Sequence, residues 1–237
     1  RLALNPDDKV LPAFSTMAQT LERTALKEDR RTGERIFWED SAVSLKRLVT
    51  GLSIAVAIAL VLGLAIGLLP MVNSTFAPLM AVVSMVPPMA ILPILFIAFG
   101  LGELSKVMLI IIGVAPCLIR DLALKVSQLP QEQLVKAQTL GASTWQVMLR
   151  VALPQAMPRL IESLRLMLGP AFLFLISAEA ISADAGLGYR IFLVRRYLSM
   201  DLILPYVAWI TLLAYCADLM LVQLSRRVFP WAHEARA

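Results

Sequence analysis

Few residues in this chain are equipped for covalent chemistry, and those are scattered. There is one histidine, His233, and two cysteines, Cys117 and Cys216, both inside apolar runs. That pattern offers no His/Cys metal set and reads the thiols as small buried hydrophobes. The phosphate-binding GxxxxGK[ST], HExxH and GxSxG are absent, so the chain does not hydrolyse ATP itself, and no catalytic residue or metal site is assigned. Two carboxylates lie at or within apolar runs, Glu179 and Asp218. An acid at membrane depth is a functional candidate by default. Against it stand a structural place at the interface for Glu179 and an ion pair with nearby Arg226 and Arg227 for Asp218.

A different kind of chemistry, non-covalent docking, is suggested by the polar stretch Pro130–Pro154, PQEQLVKAQTLGASTWQVMLRVALP. Pro130 suits a first helical position, and Glu132 places negative charge in the first turn. Leu134, Ala137, Gly141, Trp145, Met148 and Ala152 follow three- and four-residue spacing, which predicts one shared face. Gly141 is a plausible helix stop, and Ser143 with Gln146 has capping-box spacing for a restart. Two short helices joined at Gly141–Ala142 are therefore expected, outside the lipid. An amphipathic loop helix lying on the bilayer is the plain alternative.

The elements that must hold this elbow are membrane spans. Of 237 residues, 59% are hydrophobic and 16% charged, the net charge is +5 and the mean hydropathy is +0.75. Such a composition points to an integral membrane protein and gives no argument for nucleic acid. Residues 1–47 are the least apolar and read as an extramembrane or interfacial segment. No charge occurs from Leu48 to Gly102. As one helix that run would be roughly 80 Å long, against a hydrocarbon core of about 30 Å, so it must turn back. PMVNSTFAP (70–78) has the prolines and Asn/Ser/Thr of a turn.

Spans are thus expected near 48–69, 79–99, 104–123, 160–181 and 202–224, with a loop over 124–158 and a tail over 231–237. Gly63 and Gly67 form a GxxxG pattern, which permits close approach of another helix. Pro87, Pro88 and Pro93 disturb the second span, as a helix lining a pathway tolerates. Lys106 and Arg120 are expected to snorkel from the ends of the third span, and Glu162 to pair with Arg165 one turn on.

Three patches carry a family resemblance. Ala137, Gly141, Leu153 and Pro154 match the "EAA" loop of binding-protein-dependent ABC importer permeases, with Val135 and Lys136 standing where that loop has Glu and Ala. VPPMAILPILFIAFGLGE is similar to the proline-rich span of the nitrate, sulfonate and taurine branch. Ala178-Glu179 followed by Gly186-Leu187-Gly188-Tyr189 is the third.

The resemblance implies an all-α polytopic fold, a five-span type I importer core with a further span ahead of Arg1, in the bacterial inner membrane. The 130–154 loop would face the cytoplasm, although this leaves Arg190, Arg195 and Arg196 outside. Leu134, Ala137, Gln138, Thr139, Leu140, Gly141, Ala142, Ser143 and Trp145 would dock an ATPase, and Met85, Pro88, Met89, Glu179 and Ser182 would line the pathway. Implied partners are a second permease subunit (a homodimer), two ABC ATPases that bind the ATP and Mg, a periplasmic or lipoprotein-type binding protein, and membrane lipid. The chain itself binds no cofactor. The substrate would be a small anion, sulfonate or related nutrient. Two rival readings remain at this point: a secondary transporter or channel, and the energy-coupling subunit of a vitamin importer.

Overall fold

In hydrocarbon every backbone N–H and C=O must be paired within its own segment, so apolar runs of this length fold as helices. A computed structural model describes residues 12–26 and 35–234. The charged stretch 27–34 and the ends 1–11 and 235–237 lie outside the described residues. The elements in order are α1 (Phe14–Leu26), α2 (Ile36–Leu68), α3 (Pro70–Val83), α4 (Pro88–Phe99), α5 (Glu103–Ser127), α6 (Gln131–Thr139), α7 (Thr144–Val147), α8 (Leu153–Ser182), α9 (Leu187–Arg195), α10 (Met200–Val228) and α11 (Trp231–Glu234). A π-helical turn, Met148–Ala152, joins α7 to α8. Among the described residues, four helical stretches are long and apolar enough to cross a membrane: Ile36–Leu68, Glu103–Ser127, Thr144–Ser182 and Met200–Val228. The pair α3–α4, bent by 95°, makes a fifth if counted as one broken span.

The centre of the bundle is α2 packed in parallel on α5, with α8 also packed on α5 and touching α2. On α2, Gly51, Ala55, Ala59, Gly63 and Gly67 recur every fourth residue and form a smooth stripe. Ile110, Val114, Leu118, Leu122 and Val126 repeat at the same interval on α5, all buried. A β-carbon at Gly51, Gly63 or Gly67 would fall 2.8, 2.9 or 2.5 Å from Ile110, Leu122 or Val126. Small residues here let the two backbones close up, as membrane helices need in the absence of a hydrophobic drive. The GxxxG at 63–67 is thus the end of a longer ladder. Gly113 does the same for α8, leaving room for the Phe174 ring, which would lie 2.4 Å from an added Cβ.

Several expectations are corrected. PMVNSTFAP is helix, not turn. Pro70 sits at the first position of α3, where its missing N–H is no loss. Asn73 then donates to Ile66 O at 2.9 Å, and Ser74 and Thr75 donate to Met71 O at 3.0 and 3.2 Å. The polar side chains serve the helix backbone in place of a turn. The chain breaks instead at Leu69 and at Ser84–Pro87. The first span, expected from residue 48, belongs to a helix that starts at Ile36, whose buried charges Asp40 and Arg47 are paired within the bundle. The span expected at 160 continues a helix begun at Leu153, and the last extends over Met200–Val228. Lys106 does not snorkel; it is buried and held by Glu103 at 3.0 Å. The pair expected between Glu162 and Arg165 is not the one that forms the close bonds: Asp218 holds Arg165 through two, at 2.6 and 3.0 Å. Glu162 lies 3.4 Å from Arg159. The partner of Asp218 is therefore on the neighbouring helix α8, in place of Arg226 and Arg227 on its own helix.

The helices sort into two ends. The starts of α2 and α5, the α8–α9 and α9–α10 junctions and α1, whose Thr20 bonds Asp201 at 3.0 Å, gather at one. The α6–α7 elbow, the α2–α3 junction and Trp231 gather at the other, where Pro130, Gln155 and Trp231 share a crevice of about 750 Å³.

Candidate functional site

The elbow is built much as local signals dictate. Pro130 is the cap of α6 and not its first residue, because its extended ψ faces the chain away from helix. The helix stops at Gly141, whose φ of +85° belongs to the left-handed region that glycine enters freely. Ser143 caps α7: Gln146 N–H donates to Ser143 Oγ at 3.3 Å, and Ser143 N–H donates to Gln146 Oε1 at 2.9 Å. The turn after α7 widens because Pro154 has no N–H to give the preceding carbonyls; Leu153 N–H bonds Met148 O instead. Val147 and Ala152 are buried, so the elbow is seated on the bundle and continuous with α8. Gln155 adds a bond to Gln133 at 3.0 Å.

The single apolar face expected over Leu134–Ala152 does not form, since the turn at Gly141 resets the helical phase. Leu134, Ala137 and Ala142 are half-buried, while Gln138, Thr139 and Ser143 are exposed. Leu140 is 81% exposed and Trp145 64%. Two large apolar side chains thus flank the corner of a polar helix pair.

At the opposite end lies a feature missed in the sequence, a clasp of alternating charges. Glu179 is fully buried and accepts from Arg47 Nη1 at 2.7 Å, from Ser44 Oγ at 2.8 and 2.9 Å, and from Gly188 N–H at 2.9 Å. Arg47 turns its other nitrogens to Glu103, at 2.5 and 2.6 Å, and donates to Ala185 O at 2.9 Å. Asp40 accepts from Gly186 N–H and from Arg190 Nε, both at 2.8 Å. Ser44 Oγ takes Leu187 N–H at 2.9 Å. Three anions, Asp40, Glu103 and Glu179, face three cations, Arg47, Lys106 and Arg190. Burial opposes the charge of Arg190, but its hydrogen bond and attraction to Asp40 outweigh that and leave the guanidinium more basic than usual.

The Gly186-Leu187-Gly188 sequence is explained here. Gly186 has φ +130°, and its Cβ would lie 2.7 Å from the Glu179 carboxyl group; at Gly188 a Cβ would lie 2.5 Å from Ile176 O. Only glycines let this loop close over the carboxylate. Glu179 consequently faces no open passage; it is the knot of the clasp. A possible signal was in the chain: Asp40 and Arg47 stand just ahead of a long charge-free run, where a lone charge would be costly and needs a partner.

Of the other pathway residues, Pro88 lines a cavity of about 190 Å³ in the middle of the bundle, between the α3–α4 break, α5 and α8. Met85 and Met89 are exposed beside it. Ser182 is not brought to this cavity; its hydroxyl is buried at the end of α8 and finds no hydrogen-bond partner among the described residues. The structure therefore joins Pro88 to a cavity and separates Glu179 and Ser182 from it. Among the described residues no group of His, Cys, Asp and Glu is placed to hold a metal ion.

Residues 55–230 match the family described as binding-protein-dependent transport system inner membrane component. The chain is 38% identical over 200 residues to the taurine transport system permease protein TauC of Escherichia coli (strain K12), covering 84% of this chain and 72% of that protein. It is 32% identical over 157 residues to the bicarbonate transport system permease protein CmpB of Synechococcus elongatus, covering 66% and 56%. The nitrate import permease protein NrtB of Leptolyngbya laminosa is 26% identical over 199 residues, covering 84% and 71%. Among solved structures, the MetNI methionine ABC transporter in an inward-facing conformation superposes with a TM-score of 0.64 at 17% identity, over 82% of this chain and 94% of that one.

Proposed function

Because the chain belongs to the family of binding-protein-dependent transport system inner membrane components, it is the permease of an ABC importer, and we propose that the α6–α7 elbow is where its separate ATPase docks. The observation that supports this most directly is the exposure of Leu140 and Trp145 on a corner that Gly141, the Ser143–Gln146 box and buried Val147 hold in one shape. Exposed aromatic and aliphatic anchors at the centre of a polar patch are what a partner's groove takes up. The whole 134–145 segment contributes: Leu134, Ala137 and Ala142 as close-packed small or half-buried positions, and Gln138, Thr139 and Ser143 as polar contacts.

The elbow ends in α8 without a flexible joint. ATP-driven closure of two ATPases on two elbows therefore moves α8, and with it the bundle around the central cavity. The partners are an ATPase, which carries the ATP and Mg, and a substrate-binding protein. The assembly is a homodimer of this chain with two ATPases, in the bacterial inner membrane, with the clasp end facing the binding protein. The names of its relatives support a small oxyanion or zwitterion as substrate.

The test is co-expression with the ATPase of the neighbouring gene, purification, and hydrolysis in lipid with and without the loaded binding protein. Leu140→Asp and Trp145→Asp each abolish co-purification and stimulated hydrolysis. Their melting temperature stays within error of the parent, since neither side chain is in the core. Normal ATPase capture by both variants refutes the docking role of the elbow.

A further inference from the structure

Most charges carried by the spans are paired: Asp40 with Arg190, Arg47 with Glu103 and Glu179, Arg165 with Asp218. Arg120 stands outside these pairs. It lies in α5 about two turns before Ser127, roughly 10 Å along the axis, and it is exposed. Among the described residues it has no ion pair and no side-chain hydrogen bond. It lines a crevice of about 110 Å³ at the elbow end, where the end of α2, α3 and α5 meet, and is the single charge among the described residues of that lining. Ile66, Ala77 and Met80 make the walls apolar, and Asn73 and Ser127 add polar groups. Asn73 gives one Nδ2 N–H to Ile66 O at 2.9 Å, which leaves the other to donate. Helix α3, which forms one wall, has no buried residue; it meets the core through half-buried Val72, Ala77 and Met80.

We propose that this crevice holds the headgroup phosphate of an anionic phospholipid, with Arg120 as its counter-ion. Depth, charge and shape each point there. A guanidinium two turns inside a span is costly in hydrocarbon unless it reaches an anion or water, and its long stem brings the N–H fork up to headgroup level. A phosphodiester takes that fork through two oxygens, and the second Asn73 N–H is a further donor. Basic crevices between spans recognise lipid headgroups in this way. The volume of about 110 Å³ matches roughly four waters at about 30 Å³ each, which is room for a phosphate group and not for acyl chains. The chains run outside it along α3, whose Leu79 and Val82 are exposed and apolar. A free inorganic anion shares the charge chemistry and gains nothing from the apolar walls. The bound lipid packs α3 against α5, a contact that the helix lacks from the protein alone. This goes beyond the importer reading and does not depend on which subunits assemble.

The test titrates the full chain with its ATPase, in detergent, with phosphatidylglycerol, phosphatidylcholine or inorganic phosphate, read by native mass spectrometry. Phosphatidylglycerol occupies a site on each chain about tenfold more tightly than phosphatidylcholine. Arg120→Gln abolishes that preference. Arg226→Gln, which removes an exposed cation at the same end but outside the crevice, leaves it unchanged. Inorganic phosphate in large excess does not displace the lipid. In phosphatidylcholine nanodiscs, added phosphatidylglycerol slows amide exchange over Pro70–Val83, and Arg120→Gln removes the difference. Because Arg120 holds no other side chain, that variant melts with the parent in phosphatidylcholine alone. A preference that survives Arg120→Gln overturns the proposal, and so does equal loss in Arg226→Gln, which marks diffuse attraction to a basic surface. Displacement by inorganic phosphate overturns it in favour of a free anion. Loss of ATPase capture by Arg120→Gln, with the lipid preference intact, overturns it in favour of an acidic side chain from a partner protein.

Discussion

Deleting the carboxylate of Glu179 is the most severe single change the clasp admits. The group is fully enclosed and satisfies one guanidinium nitrogen of Arg47, the Ser44 hydroxyl and the Gly188 amide. Glu179→Ala strands all three in a dry site. Breaking a buried ion pair by removing one partner costs about 3–5 kcal/mol. Arg47 keeps Glu103 at 2.5 and 2.6 Å, which places the expected loss in the lower part of that range, about 3–4 kcal/mol. Removing both members, as Glu179→Ala with Arg47→Met, leaves Glu103 with Lys106 and Asp40 with Arg190. The remaining charges still balance. The double variant should thus lose less than the two single losses added, by about 2 kcal/mol. Reversible unfolding in mixed detergent micelles, followed by circular dichroism, measures each corner of the cycle. Strict additivity, or a loss below about 1 kcal/mol for Glu179→Ala, of the size seen for exposed pairs, would refute the view that the clasp is a single coupled unit.

Other substitutions test the packing and the elbow. Gly186→Ala forces a side chain onto φ +130° and against the Glu179 carboxylate, and a loss of about 2 kcal/mol or more should appear as a lowered melting temperature. Gly67→Val drives a methyl group into Val126, 2.5 Å from an ideal Cβ, for about 1–3 kcal/mol of overpacking; Gly102→Ala, with nothing within 4 Å, serves as the control and should stay within about 0.5 kcal/mol. Ser143→Ala removes the cap of α7 at a cost of about 1 kcal/mol, read as faster amide exchange over Thr144–Val147 with the global melt unchanged.

How much of this was legible along the chain depended on the range of the forces involved. The elbow was readable because its parts act over three or four residues: a glycine free to take φ +85°, a serine and glutamine spaced to cap each other, a proline that cannot continue the hydrogen-bond ladder. The membrane class and the approximate spans followed from the length of charge-free sequence, and Gly63–Gly67 already marked a close helix approach. The extension of that stripe through Gly51, Ala55 and Ala59 was equally present in the spacing, though it shows its meaning only against the matching ladder on α5.

Where local signals conflicted with tertiary surroundings, the surroundings prevailed. PMVNSTFAP has the composition of a turn, yet with no water to satisfy its backbone it stays helical and uses Asn73, Ser74 and Thr75 to support the helix. Asp218 has arginines close by in sequence and is nevertheless held by Arg165, 53 residues away. The clasp lay furthest beyond sequence reasoning: Asp40 meets Arg190 across 150 residues, and Arg47 meets Glu179 across 132. Composition and period determine that this chain forms long apolar helices with a capped polar elbow between two of them, since those depend on neighbours within a turn or two. Which charge neutralises which depends on helices brought together from distant parts of the chain, so only the packed bundle decides it.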